Sequence, residues 1–236
     1  MEWYEELDFD ENPFKKETKT VGYDDLLDDM MYGIVSGHMM FIEGAPGSGK
    51  TKLLKEAIRR FGGHGKVIYV NCKKLHKELN VERLLKDRYG WFATKVLNKK
   101  PKNMILLLDE VEHLSQKNCE RIKYYYDQNY LRAVVFAGTD FELAGLNESI
   151  QQRIHKKLIV KELSDYEAVQ VVREKIGEDL LSDRVIKYIY NVSNKNNKKF
   201  LENCETVCKV AAKNKDLKEE DVDKILEEST ITAVTK

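Results

Sequence analysis

The sequence predicts an α/β protein in which a five-stranded parallel sheet carries helices on both faces and leads into a small helical domain. Two observations predict it. From residue 39 to about 163, short apolar runs rich in β-branched residues alternate with amphipathic segments of helical period, as a doubly covered parallel sheet requires. After Ser164 the strand signal stops and only helical periodicity continues. The strand candidates are MMFIEG (39 to 44), KVIYVNC (66 to 72), NMILLLDE (103 to 110), AVVFAGTD (133 to 140) and KKLIVKEL (156 to 163). Between them, Leu53, Leu54, Ala57, Ile58 and Phe61 form one apolar stripe, and Leu84, Leu85, Tyr89, Phe92 and Val96 another. Each stripe gives a helix one face with which to cross back over the sheet.

The helical domain opens at S-D-Y-E (164 to 167), a capping-box pattern that offers a side-chain oxygen and a carboxylate to the first free N–H groups. Helices are expected near 164 to 177, 182 to 193, 198 to 213 and 218 to 229, with the polar tract SNKNNKK (193 to 199) as a loop. The expected organisation is a lead-in over 1 to 22, a phosphate-binding α/β domain over 23 to 163, the helical domain over 164 to 230, and a tail over 231 to 236.

Composition narrows the function classes. Forty basic and forty acidic residues cancel, so no global positive field draws this chain to nucleic acid, and any such contact must be local. No stretch reaches the ~18 apolar residues of a membrane span, and MEWYEELDFDENPF has neither the basic nor the apolar region of a signal peptide, so a cytoplasmic protein without membrane insertion is expected. Cys72, Cys119, Cys204 and Cys208 fit neither a disulfide framework nor a zinc spacing, and Cys204 and Cys208 share a helical face with Phe200, Leu201 and Ala211. They read as core residues, and no protein-held transition metal is expected.

The chemistry concentrates in two places. Gly44, Ala45, Pro46, Gly47, Ser48, Gly49, Lys50 and Thr51 fit G-x-x-x-x-G-K-[ST] between a strand and a helix, the context this P-loop motif requires. Its glycines let the N–H groups of Gly47 to Thr51 curl toward a phosphate chain at the positive end of the following helix. Lys50 is placed to neutralise β and γ phosphates, and the Thr51 hydroxyl to ligate Mg²⁺. The second place is MILLLDEVEH, where Ile105 to Leu108 run into Asp109 and Glu110. A buried strand ending in two carboxylates delivers charge to the crevice where α/β sheets bind ligands. Asp109 would hold Mg²⁺, directly or through water, and Glu110 would orient and polarise an attacking water. ATP and Mg²⁺ are the cofactors expected.

A P-loop, a D-E strand end, a polar residue closing the next strand and an arginine before the fifth follow the order found in AAA+ ATPases. The chain resembles the initiator branch, meaning origin-recognition and Cdc-type loader ATPases with their ExeA-like and transposition-helper relatives. The residues that carry this are L-x-F-x-x-N-P-F (Leu7, Phe9, Asn12, Pro13, Phe14), VIYVNC, FAGTD with QQRI, and NNKKFLENC, so the resemblance covers nearly the whole chain. It implies an Mg-dependent ATPase whose helical domain is a lid. Thr139 is assigned as sensor 1, a polar group for the γ-phosphate or lytic water, although a strand-end Thr is also ordinary β chemistry. Asn71 resembles the switch residue that restrains Glu110, and equally reads as a turn-forming Asn. Arg153 sits where the family places the arginine finger that reaches a neighbouring subunit's γ-phosphate, with a surface salt bridge as the alternative. The lid arginine, sensor 2, falls at Lys199, with Lys198 and Asn196 replacing the motif's proline and glycine. Lysine supplies charge without the planar fork. Initiator ATPases usually continue into a winged helix, and none is expected here; an intersubunit site with a second copy or an AAA+ partner through Arg153 is the expected assembly.

One local segment could contact DNA. SQKNCERIKYYYDQNYLR (115 to 132) sets Lys117, Arg121, Lys123 and Arg132 among Tyr124, Tyr125, Tyr126 and Tyr130. The same segment is also expected to pack over the sheet, which buries some of those rings. Two function classes follow: an ATPase acting in a DNA transaction, and a nucleotide-gated switch or adaptor of ExeA-like type that does not bind DNA. A small-molecule kinase has no need of Glu110 beside Asp109 or of the helical tail.

Overall fold

The computed structural model describes residues 2–18, 20–62, 65–75, 78–89, 102–214 and 217–234. Five strands, β1 (Met39–Glu43), β2 (Val67–Asn71), β3 (Met104–Asp109), β4 (Leu131–Gly138) and β5 (Ile154–Ile159), form one sheet in the order β2-β3-β4-β1-β5. Every pairing is parallel. All six residues of β3 are buried, as expected of a central strand covered on both faces. Two strands end earlier than the apolar runs suggest. β4 stops at Gly138, opposite Glu43, and β5 stops at Ile159, opposite the same residue. After Glu43 the neighbouring chain turns away, so residues 139–140 and 160–163 have no strand left to pair with, apart from one bond from the Val160 N–H to the Glu43 carbonyl at 2.7 Å.

In this unit, residues 23–161, the helices are α1 (Asp24–Ser36), α2 (Lys50–Arg60), α3 (Val81–Tyr89), α4 (Gln116–Asp127) and the short α5 (Glu148–Gln151). Leu53, Leu54, Ala57 and Ile58 of α2 are buried, while Phe61 only caps it. Leu85 of α3 is buried in the core formed by β1 to β4 and α4. The packing expected of Tyr89, Phe92 and Val96 falls outside the described residues. Met30 and Ile34 fill the inner face of α1, and Gly33 lies against Met40, where an added Cβ would meet the Met40 sulfur. The position leaves no room for a larger side chain.

The second unit comprises residues 1–22 and 162–236. Its helices are α6 (Asp165–Ile176), α7 (Asp183–Val192), α8 (Asn197–Ala211) and α9 (Glu219–Val234). The capping box forms: Ser164 Oγ accepts the Glu167 N–H, and Glu167 Oε2 accepts the Ser164 N–H at 2.7 Å. The polar loop is shorter than its composition suggests. Asn196 caps α8 by accepting the Lys199 N–H at 3.0 Å, which draws residues 197–199 into the helix. Tyr190 and Phe200 meet edge to face with centroids 5.0 Å apart, and Cys204 and Cys208 of α8 are fully buried. The lead-in packs with these helices. Asn12 donates to Glu205 at 2.9 Å, and Lys175 donates to the carbonyls of Pro13 and Lys16.

Candidate nucleotide site

The P-loop joins β1 to α2 and is built by backbone geometry. Gly47 and Gly49 adopt φ of 81° and 109°, a region L side chains rarely enter, and Gly49 immediately precedes the first residue of α2. The first N–H groups of that helix, which have no intrahelical acceptor, lie at the loop's end and at the positive end of the helix dipole. Gly44 is needed for space. A Cβ there would lie 2.7 Å from Ser48 Oγ and 3.0 Å from the Val160 Cβ. From α1's side, the Tyr23 hydroxyl braces the loop by donating to the Ser48 carbonyl at 2.7 Å. Lys50 turns back on the loop and donates to the carbonyls of Gly44 (2.6 Å) and Ala45 (3.1 Å). Burial lowers its pKa from the usual lysine range, partly offset by the nearby carboxylates of Glu112, Asp109 and Glu110.

Strand register gathers the remaining groups along one edge. Asn71 is opposite Asp109, Asp109 opposite Ala137, and Ala137 opposite Ile42, so these residues form one row across the sheet. Gly138 and Glu43 form the next row, with Thr139 and Gly44 directly after them. Asp109 is 1% exposed, and both oxygens of its carboxylate accept hydrogen bonds. Oδ2 accepts the Thr51 hydroxyl at 2.6 Å and the Tyr69 phenol at 2.8 Å; Oδ1 accepts the Glu110 N–H at 3.0 Å. Glu110 follows in the left-handed region, φ 53° and ψ 51°, and its Oε2 is buried with no hydrogen-bond partner. A non-glycine residue there stores of order 1 to 3 kcal/mol of strain, tolerated where the surroundings fix it.

Two members of this cluster carry no motif signal. Glu112, in the turn Val111–His113, accepts the backbone N–H of Thr139. Burial raises its pKa, but bonds from the Thr139 backbone and side chain and the Lys50 charge outweigh this and hold the carboxyl below its usual range. Thr139 thus stands at the same edge as the P-loop, steadied by Glu112. Tyr69 is the second, reaching Asp109 from β2 with its phenol pK raised by burial and by the Asp109 carboxylate. Glu112 lies three residues past Asp109 and Tyr69 two before Asn71, but spacing alone does not tell such residues from ordinary turn and strand positions.

The donor set suits a nucleotide with a small divalent cation. Thr51 Oγ1 and Asp109 are hard oxygen donors bonded to each other, the kind of partial ligand set Mg²⁺ takes beside phosphate oxygens and water. The buried, unpartnered Glu110 oxygen is consistent with a polar group seated there. Thr51 and Asp109 would hold the cation, which would supply charge neutralisation between phosphate oxygens.

Arg153 lies elsewhere. It immediately precedes Ile154, which pairs with Met39 at the amino edge of the sheet, whereas the P-loop leaves the opposite edge after Glu43. Four strand steps, roughly 13 Å, separate those rows. Its guanidinium forms a two-pronged ion pair with Asp127 at the end of α4, Nε to Oδ1 at 3.0 Å and Nη2 to Oδ2 at 2.9 Å, and donates to the Ser149 carbonyl at 2.7 Å. Lys198 and Lys199 belong to the helical unit, in the first turn of α8, both exposed.

The basic and aromatic segment is a packing helix. Cys119 and Ile122 of α4 are buried, and Tyr125, Tyr126 and Tyr130 pack against the core, with the Tyr126 hydroxyl donating to the Gly37 carbonyl at 2.7 Å. Tyr124 alone of the four is exposed. Arg121 donates to the Leu79 carbonyl at 3.2 Å, Lys123 pairs with Glu120, and Arg132 donates to the Val35 carbonyl. Lys117 is exposed.

Among the described residues, no helix is long and apolar enough to cross a membrane. Residues 36–168 match the family described as AAA domain. A curated relative, the chromosomal replication initiator protein DnaA of Sulfurimonas denitrificans, is 27% identical over 171 residues, covering 66% of this chain and 38% of the relative. The chain thus spans less than half the length of that relative. Among solved structures, the Aeropyrum pernix ORC1 protein in complex with DNA matches with a TM-score of 0.68 at 13% identity, over 90% of this chain and 66% of that one. The Thermotoga maritima RuvB Holliday junction branch migration motor matches with a TM-score of 0.67 at 13% identity, over 91% and 72%. With its parallel sheet, its P-loop and its D-E strand end, the chain belongs to the AAA domain family and is an AAA+ protein with the fold of the replication-initiator ATPases.

Proposed function

We propose that this protein binds ATP with Mg²⁺ and hydrolyses it in an assembly, in the service of a DNA transaction of the replication-initiation, loading or targeting type. The observation that carries the ATPase reading is the cluster at the carboxyl edge. Thr51 is bonded to Asp109 at 2.6 Å, and Glu110 is held beside them with a buried, unpartnered oxygen. Lys50 and the first N–H groups of α2 would take the β and γ phosphates, and Thr51 and Asp109 the cation. Glu110 would orient the attacking water and accept its proton as the bond from oxygen to the γ-phosphorus forms and ADP departs. Thr139, steadied by Glu112, would face the γ-phosphate, with Asn71 closing the row. Lys199 would supply the lid's cation.

Arg153 supports the dependence on assembly. It stands at the sheet edge opposite its own P-loop, so its guanidinium could serve only a neighbouring molecule's site, that of a second copy or an AAA+ partner. The DNA assignment draws on the named relatives, a chromosomal replication initiator and an ORC1 protein in complex with DNA. The test is the hydrolysis rate per molecule across protein concentrations, with and without duplex and single-stranded DNA. The rate is expected to rise with both, and one indifferent to both sinks the proposal.

A second reading, a nucleotide-gated adaptor that does not bind DNA, is favoured by one observation: Arg121, Lys123 and Arg132 already have partners within their own chain. It predicts no DNA retention in a mobility-shift assay and a protein partner whose affinity differs between ATP and ADP.

A further inference from the structure

We propose that Tyr69 is a positioning residue for the cation site, fixing the Asp109 carboxylate through its phenol and linking that carboxylate to Asn71. The inference rests on Thr51 and Asp109 being the cation-holding pair. An aspartate's terminal torsion is broad, so a carboxylate that must present one oxygen to a metal needs an external restraint. Thr51 supplies one restraint, its O–H donating to Oδ2 while its lone pairs stay open to a cation. The phenol supplies a second, from a group that takes no part in coordination. Tyr69 Oη donates to Asp109 Oδ2 at 2.8 Å from the middle of β2, which is pinned in register against β3.

The same strand ties the phenol to Asn71. Residues two apart on a strand share a face, so Asn71 and Tyr69 project from the same side of β2. Its own Oδ1 is engaged by the Lys74 N–H at 3.3 Å. A displacement of Asn71 therefore reaches the metal carboxylate through one phenol, without passing through Glu110. The nearest alternative role, core packing, makes a different prediction, since it treats Phe as equivalent to Tyr.

The test measures affinity for a fluorescent ATP analogue in EDTA and across a Mg²⁺ titration, for wild type, Tyr69→Phe, Asn71→Ala and Asp109→Asn. Wild type is expected to gain affinity with Mg²⁺. Tyr69→Phe should keep its EDTA affinity but need about tenfold more Mg²⁺ for half the gain, the usual cost of losing an outer-shell bond to a metal-binding carboxylate. Asn71→Ala should shift the same way by less. A Tyr69→Phe midpoint within twofold of wild type overturns the proposal. So does an equal loss of affinity in EDTA, because the phenol would then act through the fold. If Asp109→Asn itself titrates like wild type, the cation pair has been misassigned, a failure separable from that of Tyr69.

Discussion

Arg153 offers a perturbation whose two roles differ by orders of magnitude. Its pair with Asp127 is geometrically good, but the two side chains are 34% and 39% exposed, so water screens it. Such a pair contributes about 0.5 to 1 kcal/mol, or roughly 1 to 4 °C of melting temperature for a domain of this size. A guanidinium delivered in trans to a phosphoryl-transfer transition state contributes about 10³- to 10⁵-fold in rate. Arg153→Ala removes both contributions, whereas Asp127→Ala removes only the ion pair and leaves the guanidinium free. The two variants should melt at similar, slightly lowered temperatures, with the double variant little worse than either. At protein concentrations that saturate assembly, hydrolysis by Arg153→Ala should fall about 10³-fold or more, while Asp127→Ala should retain or exceed the wild-type rate. If both variants lose activity in proportion to their loss of stability, Arg153 is only a tie between β5 and α4, and the trans assignment is wrong.

Glu110→Gln should bind ATP as wild type does yet hydrolyse it about 10²- to 10⁴-fold more slowly, measured by single-turnover phosphate release; undiminished turnover would remove Glu110 from the chemistry. Gly44→Ala places a methyl 2.7 Å from Ser48 Oγ and against Val160, so equilibrium dialysis should find nucleotide affinity reduced and calorimetry a lower melting temperature. In the helical unit, burial raises the Glu205 pKa, but the Asn12 amide and Lys209 outweigh it and hold the group below its usual range. A carboxylate depressed in the folded state adds stability above its unfolded pKa and loses it as pH falls through the folded value. Glu205→Gln should therefore melt below wild type at pH 7, with the gap closing toward pH 3; a gap independent of pH would refute this.

The residues that the sequence determined by itself are those whose conformation is set by near neighbours. Gly44 to Thr51 form the P-loop turn because glycines 47 and 49 permit the required dihedrals and the helix starts immediately after them. Ser164 and Glu167 close their capping box three residues apart, and the apolar run before Asp109 buries itself wherever a sheet is available. Strand ends are not among them, because they depend on where a partner strand stops, as Glu43 decides for both Gly138 and Ile159. Tertiary structure decided the rest. Tyr69 meets Asp109 across 40 residues, Thr139 meets Glu112 across 27, and Arg153 meets Asp127 across 26. Those contacts depend on parallel register, which converts distant sequence positions into one row, and on which rotamer a crowded neighbour leaves open. Neither is encoded in a local window, so the P-loop is legible in the sequence while the groups that hold Asp109 and steady Thr139 emerge only in the folded chain.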